Sequence, residues 1–257
     1  SEMCIRDSIN TESGYSETGY SAEDDVRATN WHYAVAGTNA SGDSHVVAPK
    51  NTFNMYCNRE PRFYISVVYN EQYHWGKGKA TNFFFNGEDG QPSHDNPSAG
   101  YLIRKHVDPT FVHSTNTGSY KSRQGILYRL AEAYLSYAES ALEYSIAKGT
   151  YNSEKENIVK YVNKIRERAG IPQYGTSGLE IPADPEEMRK LIRRERRVEM
   201  NCEGGLRWFD LRRWKEAEDV LDGNFYGMNM LAEKGNRDDF YKRVSYQTRK
   251  SVSYTHL

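Results

Sequence analysis

Apolar residues recur at helical spacing in two long parts of the chain. Between Ile126 and Ala147, the positions Leu127, Leu130, Tyr134, Ala138, Ala141 and Ile146 run down one side of a predicted helix. Ala131, Ala138 and Ala141 are small enough to let a second helix approach closely, and Gly149 stops the first. Ser153 and Glu156 read as a capping box for the next helix, which carries Ile158, Val162, Ile165 and Ala169 and ends at Gly170-Ile171-Pro172. Two amphipathic helices with a short turn make an αα-hairpin. A second pair spans Met188 to Leu221. Asp184 caps its first helix, Pro185 takes the first helical position, and Glu187 completes a capping box. Met188, Leu191, Ile192, Val198 and Cys202 supply its apolar stripe, Gly204-Gly205 ends it, and a further helix restarts through Trp208, Phe209 and Trp214. Stacked hairpins of this kind begin a tetratricopeptide-like array. The predicted fold class is therefore mainly α, with long loops and a few short strands.

Period-two alternation is confined to the first half. Phe63, Ile65, Val67 and Tyr69 alternate with Tyr64, Ser66 and Val68, which predicts a strand within Asn58–Asn70. Thr81–Phe85 and Tyr101–Val107 are shorter strand-like pieces. Residues 9–60 are rich in Ser, Thr, Asn, Gly and Asp and read as long loops with one short helix. From Gly223 onward the pattern is again loop-like, including a basic-aromatic stretch, FYKRVSYQTRK. The opening SEMCIRDS and the closing VSYTHL resemble adapter-derived sequence and are expected to be non-native ends. Cys4 is accordingly not expected to be a lipobox cysteine. The predicted organisation is a non-native end at 1–8, a loop-rich region with short strands at 9–125, two helical hairpins at 126–222, a loop-rich part at 223–251 and a second non-native end at 252–257.

Charge changes the picture most in the second hairpin. Glu195, Glu199 and Glu203 stand four apart, on a face other than the apolar stripe, among Arg193, Arg194, Arg196 and Arg197. Such density admits a nucleic-acid patch, a carboxylate catalytic site or an ion-pair network between helices. Acids and bases alternate here instead of segregating, which favours the network. The 257 residues carry a net charge of −1, so no general attraction to nucleic acid or anionic membrane is implied. Mean hydropathy is −0.85, and no apolar run approaches the roughly 20 residues of a membrane span. The three cysteines, Cys4, Cys57 and Cys202, lack paired spacing; Cys202 on its helical stripe is expected to be buried.

Two strings in this segment are specific. ER-x-VE-x(3)-EG, from Glu195 to Gly204, is followed by R-x-FD-x-RRW, from Arg207 to Trp214. Together they resemble the C-terminal helical signature of the SusD/RagB family of Bacteroidetes outer-membrane lipoproteins. REPRFY at Arg59–Tyr64, YLIRKHVDP from Tyr101, RLAEAYLSYAE from Arg129 and YVNKIRERAGIP from Tyr161 are similar to further family segments in family order. The departure is Gly205, an extra residue where the family reads EG-x-R. The resemblance implies a tetratricopeptide-like scaffold, glycan or nutrient capture without chemistry, and a SusC-like TonB-dependent transporter as partner. It also implies outer-membrane attachment through a lipid anchor upstream, so that this chain is expected to be the C-terminal part of a longer protein. Glu195, Arg196, Glu199, Glu203, Gly204, Arg207, Asp210, Arg213 and Trp214 are its signature positions, expected to be structural.

Catalytic motifs are missing from the sequence: no phosphate-cradling glycine loop, HExxH or nucleophile elbow occurs. Seven scattered histidines give no metal-ligand spacing, and neither metal nor other cofactor is expected. Three functions remain distinct: a nutrient-capture protein, a helical scaffold binding only protein, and a glycosidase. The ligand contacts of the first would come from loop aromatics. Trp31 and Tyr33, with His32 between them, and Tyr73 and Trp75, ahead of Gly76 and Gly78, are the candidates. Their flat rings suit the axial C–H faces of sugars, and loops on a rigid scaffold are where binding residues concentrate. The alternative at each position is a ring that packs its own loop onto the scaffold.

Overall fold

A computed structural model describes residues 18–24, 48–74, 79–105, 107, 125–176 and 178–249. The helices are α1 (Pro61–Ser66), α2 (Leu130–Lys148), α3 (Tyr151–Arg168), α4 (Pro185–Glu199), α5 (Leu206–Arg213), α6 (Ala217–Leu221) and α7 (Arg237–Phe240). The strands are β1 (Val67–Tyr69), β2 (Tyr73–His74), β3 (Lys79–Ala80), β4 (Tyr101–Ile103), β5 (Gly223–Met228) and β6 (Arg243–Arg249). The architecture is mainly α with short two-stranded ribbons. The chain divides into two compact units: Arg123–Arg207, and Ser1–Ser122 together with Trp208–Leu257.

The helical unit is built on the α2–α3 hairpin. Gly149 takes the left-handed conformation at φ 69°, and the amides of Gly149 and Thr150 return to the carbonyls of Ile146 and Ser145, closing α2 as its sequence predicts. The same device at Gly170, also φ 69°, ends α3. Ala138, Leu142, Ile158, Val162, Met188 and Ile192 form its main core, and α4 lies against α2 and to a lesser extent α3. Asp184 caps α4 by accepting from the Glu186 amide at 3.0 Å, with Pro185 at the first position. Glu187 does not close the predicted capping box; it pairs with Lys190 one turn on. Nor does the Ser153–Glu156 box form: α3 begins earlier, at Tyr151, whose buried ring anchors the first turn through a 2.6 Å bond to the Pro182 carbonyl.

The second unit is organised by aromatic rings. Tyr56 stacks on Tyr69 at 4.2 Å, Phe53 on Tyr241 at 4.2 Å, and Phe84 meets Phe240 edge-on at 4.8 Å. β1 pairs antiparallel with β4, β2 with β3, and β5 with β6.

Several expectations are corrected here. The alternating run after Asn58 folds first as helix α1 and only then as strand β1. Its apolar residues bury on both sides, so alternation carried no facing information, while Pro61 at the first position of α1 pre-sets a helical φ. Thr81–Phe85 makes no strand beyond an isolated bridge at Phe85; Asn70 and Asp89 side chains take the backbone amides of Phe83 and Asn82 instead. Tyr101–Val107 is a strand only to Ile103. The stretch after Gly223 is no loop but the β5–β6 hairpin, with a register shift between Phe225 and Tyr226. α4 stops at Glu199, ahead of Gly204-Gly205, and Cys202 is exposed at φ 61°. The Glu199 carbonyl, left over at that helix end, accepts from Arg129 at 2.7 Å.

Candidate functional site

The signature residues of the helical unit meet in a charged cluster on α4. Helical geometry puts Glu195 and Glu199 seven and eleven residues beyond Met188, hence on the same buried face and not on a separate one. Both are almost fully buried, at 4% and 3% exposure. Glu199 accepts from Arg129 and Arg168, Glu203 takes two bonds from Arg129 at 2.6 and 2.7 Å, and Glu195 takes Arg166 at 2.9 Å. Arg196 donates to the Ser136 hydroxyl at 3.2 Å and lies 3.9 Å from Glu132. Gly204 is left-handed at φ 49° in the turn after α4. Arg207 is half-buried at the start of α5. Farther along, the buried Asp210 carboxylate accepts from Arg213 at 3.2 Å, the Asp210 backbone carbonyl takes the Trp214 amide at 2.9 Å, and the Arg213 guanidinium stands 5.3 Å from the Trp214 ring centre. Each carboxylate named here is met by a guanidinium, and the pairs at Glu195, Glu199 and Glu203 tie α4 and the turn after it to α3 and to Arg129 ahead of α2.

Trp31, Tyr33 and Trp75 lie outside the described residues. Tyr73 is half-buried on β2, cross-strand from Ala80. That hairpin borders a cleft of about 380 Å³ in the ring-packed unit, lined by Lys79, Ala80 and Thr81 on one side and by Glu71, Arg237 and Tyr241 on another.

The cleft is built from two corners in left-handed backbone, Asn51 at φ 72° and Glu71 at φ 67°. Asn tolerates that conformation; Glu pays about 1 kcal/mol or more for it. Arg237 ties the corners together, donating to the Asn51 carbonyl at 2.9 Å and twice to Glu71 Oε2, at 2.6 and 3.1 Å. Tyr241 donates to the same oxygen at 3.1 Å. The Arg237 guanidinium also lies 4.2 Å over the Tyr20 ring, whose hydroxyl donates to Asp238 at 2.7 Å. Burial, followed by the Asp238 bond, raises the Tyr20 pKa; burial, followed by the nearby Glu71 carboxylate, raises that of Tyr241. Both phenols therefore stay protonated and keep their donors. Burial opposes the Arg237 cation, but the Glu71 carboxylate outweighs it and its pKa rises.

At the rim, Lys79 pairs with Glu88 at 2.6 Å; Asn82 borders the cleft, and its side-chain oxygen is buried without a partner among the described residues. Carboxylate, guanidinium and amide groups can each bind two neighbouring hydroxyls, so this lining suits a polyhydroxylated ligand. The cleft's own rings do not offer stacking faces, since Phe53, Phe84 and Tyr241 are all at least nine-tenths buried. Sequence reasoning missed the cleft because its partners are remote: Glu71 and Arg237 stand 166 residues apart. The only local signal was the basic-aromatic stretch around Tyr241, which had no assigned partner. Among the described residues no cluster of His, Cys, Asp and Glu could hold a metal ion, and no helix is long and apolar enough to cross a membrane.

The chain matches the SusD family across residues 7–255 and belongs to that family. It is similar to a SusD-like protein of Bacteroides fragilis solved by crystallography, with 29% identity and a TM-score of 0.60 over 78% of this chain and 36% of that one. It shares a fold with a second structure, described as a SusD-like carbohydrate binding protein of the same species, with 20% identity and a TM-score of 0.56 over 79% of this chain and 39% of that one. The chain thus spans little more than a third of the length of either. No curated protein matches it.

Proposed function

We propose that this chain is part of a surface glycan-binding protein that captures oligosaccharide and passes it, uncleaved, to a SusC-like TonB-dependent transporter in the outer membrane. A lipid anchor elsewhere in the protein would hold it there. The observation that carries the reading is membership of the SusD family over nearly the whole chain. A family structure described as carbohydrate binding and the polar cleft beside β2–β3 both support it. Trp75, Tyr73, Trp31 and Tyr33 are the rings proposed to stack on sugar, with Arg237 and Glu71 reading hydroxyls. A glycan array run beside a hydrolysis assay tests the function. Retention of at least one glycan with no product is expected; silence on the array points to a protein-only scaffold, and product to a glycosidase. Calorimetry of Trp75→Ala against the glycan retained tests the site, where about a tenfold loss is expected if the ring stacks.

A further inference from the structure

The outward face of α5 carries large rings and cations that neither the buried brace nor the cleft uses. At about 100° per helical residue, Trp208, Arg212, Phe209 and Arg213 fall in that order across one side of the helix. Asp210 and Leu211 lie on the other side and are the buried residues of α5. The pattern is inverted relative to an ordinary surface helix, whose rings turn inward. Trp208 is 48% exposed and Phe209 60%. The Arg212 guanidinium stands 5.6 Å from the Trp208 ring centre, one turn back on the same outer side. Arg212 makes no ion pair among the described residues, and neither does Lys215, exposed just after the helix. Acids follow at once, with Glu218 and Asp219 in the first turn of α6. Both are exposed, and among the described residues neither stands in an ion pair. Two unpaired cations and two unpaired carboxylates therefore lie next to each other along the chain, beside two open rings.

We propose that this face is a self-association surface, and that its occupant is a second copy of the chain related by a two-fold axis. In such a contact the same patch serves both copies, so every residue pair occurs twice. Trp208 and Phe209 pack at the centre against the same rings of the other copy. Arg212 and Lys215 of each copy meet Glu218 and Asp219 of the other. A basic aromatic face alone would call for an acidic partner; a patch that carries both signs in equal number is complementary to itself. Trp and Arg are also the residues that most often carry the energy of protein interfaces. The helix dipole favours acids in the first turn of α6, but that leaves the open rings and the unpaired Arg212 unexplained. The inference goes beyond the glycan reading and does not depend on it. The contact is small, and a dissociation constant on the order of 10 μM is expected.

The full chain is sedimented at about 1–100 μM, at low and at moderate salt. A monomer–dimer equilibrium that weakens as salt rises is expected. Trp208→Ser should raise the dissociation constant at least about tenfold. Its melting temperature should hardly change, because the ring is already half open to water. Two charge reversals give the sharper test. Arg212→Glu with Lys215→Glu sets acids against acids across the contact, and Glu218→Lys with Asp219→Lys sets cations against cations, so each variant by itself should be monomeric. Mixed in equal amounts, the two restore opposite charges at both ends of the contact, and a heterodimer should form about as tightly as the parent dimer. A parent chain that stays monomeric over the whole range overturns the proposal. So does a dimer that persists in Trp208→Ser, which would place the contact on another face, or a mixture of the two reversed variants that fails to associate.

Discussion

The two units of this chain are held together by different chemistry. In the helical unit, α2, α3 and α4 share a modest aliphatic core and are cross-linked by buried Arg–Glu pairs around Glu195 and Glu199. In the other unit short strands and turns surround a packed set of rings, Phe53, Tyr56, Tyr69, Phe84, Phe240 and Tyr241. Regular helices satisfy their own backbones, so their side chains are free to cross-link. Short ribbons cannot do this, and the second unit depends on side chains such as Asn70, Thr81 and Arg237 to satisfy backbone groups. Fixed charge therefore has opposite places in the two: buried as a brace in the first, and gathered along a cleft in the second.

The strongest way to break this contrast is to remove its central brace. Glu199→Ala removes the carboxylate that joins Arg129 to Arg168; Arg129 keeps its two bonds to Glu203 and Arg168 is open to solvent, so the expected loss is about 2–3 kcal/mol of stability for the helical unit. Thermal unfolding followed by helical circular dichroism measures it. A loss under about 1 kcal/mol would put the pairs in the class of surface ion pairs and dissolve the distinction.

Arg237→Ala probes the opposite arrangement. It removes the tie between the left-handed corners at Asn51 and Glu71 and the cation over Tyr20. Arg237 and Glu71 are partly open to water, at 22% and 28% side-chain exposure, so solvent screening reduces the expected cost to about 1–2 kcal/mol. If Arg237 also reads sugar hydroxyls, glycan affinity should fall by more than the stability change explains; equal affinity in a stably folded variant would leave Arg237 a purely structural tie. Tyr56→Phe refines the account of the ring core. It keeps the stacking and deletes only the 3.2 Å bond to the Tyr101 hydroxyl, and about 1 kcal/mol is expected from chemical denaturation.

The same contrast explains what could be read from sequence. The helices were legible because their signals are local: Asp184 and Pro185 open α4, and Gly149 and Gly170 close α2 and α3. The buried partners of α4 were less so, because Arg129 and Glu199 meet 70 residues apart, and an apolar stripe that turns charged at Glu195 looks like two faces. In the ring-packed unit almost nothing is local. The Phe53–Tyr241 stack and the Glu71–Arg237 pair join remote segments, and a strand buried on both sides gives no clean alternation. That is why α1 read as strand and the β5–β6 hairpin as loop, and why the cleft stayed hidden while the family signature on α4 and α5 was plain.

The smallest effect tests whether exposed pairs on the helical unit add to its brace. Arg189 grips Glu143 with a two-pronged contact, Nε to Oε1 at 2.6 Å and Nη2 to Oε2 at 2.7 Å, joining α4 to α2. The Arg189 bond is the main cause that lowers the Glu143 pKa from its ordinary 4.5, with burial working the other way. A lowered carboxylate pKa means the folded state favours the charged form. The contribution is therefore complete above 4.5 and disappears as the pH falls below that, through the folded value. Because the Glu143 side chain is 44% exposed, solvent screens the pair, and a few tenths of a kcal/mol is the expected size. Glu143→Gln should be slightly less stable than the parent near neutral pH, and the two should converge in acid. A difference that persists unchanged well below the ordinary carboxylate range would have to come from shape or packing, and the ion pair would then add nothing to the buried brace at Glu199.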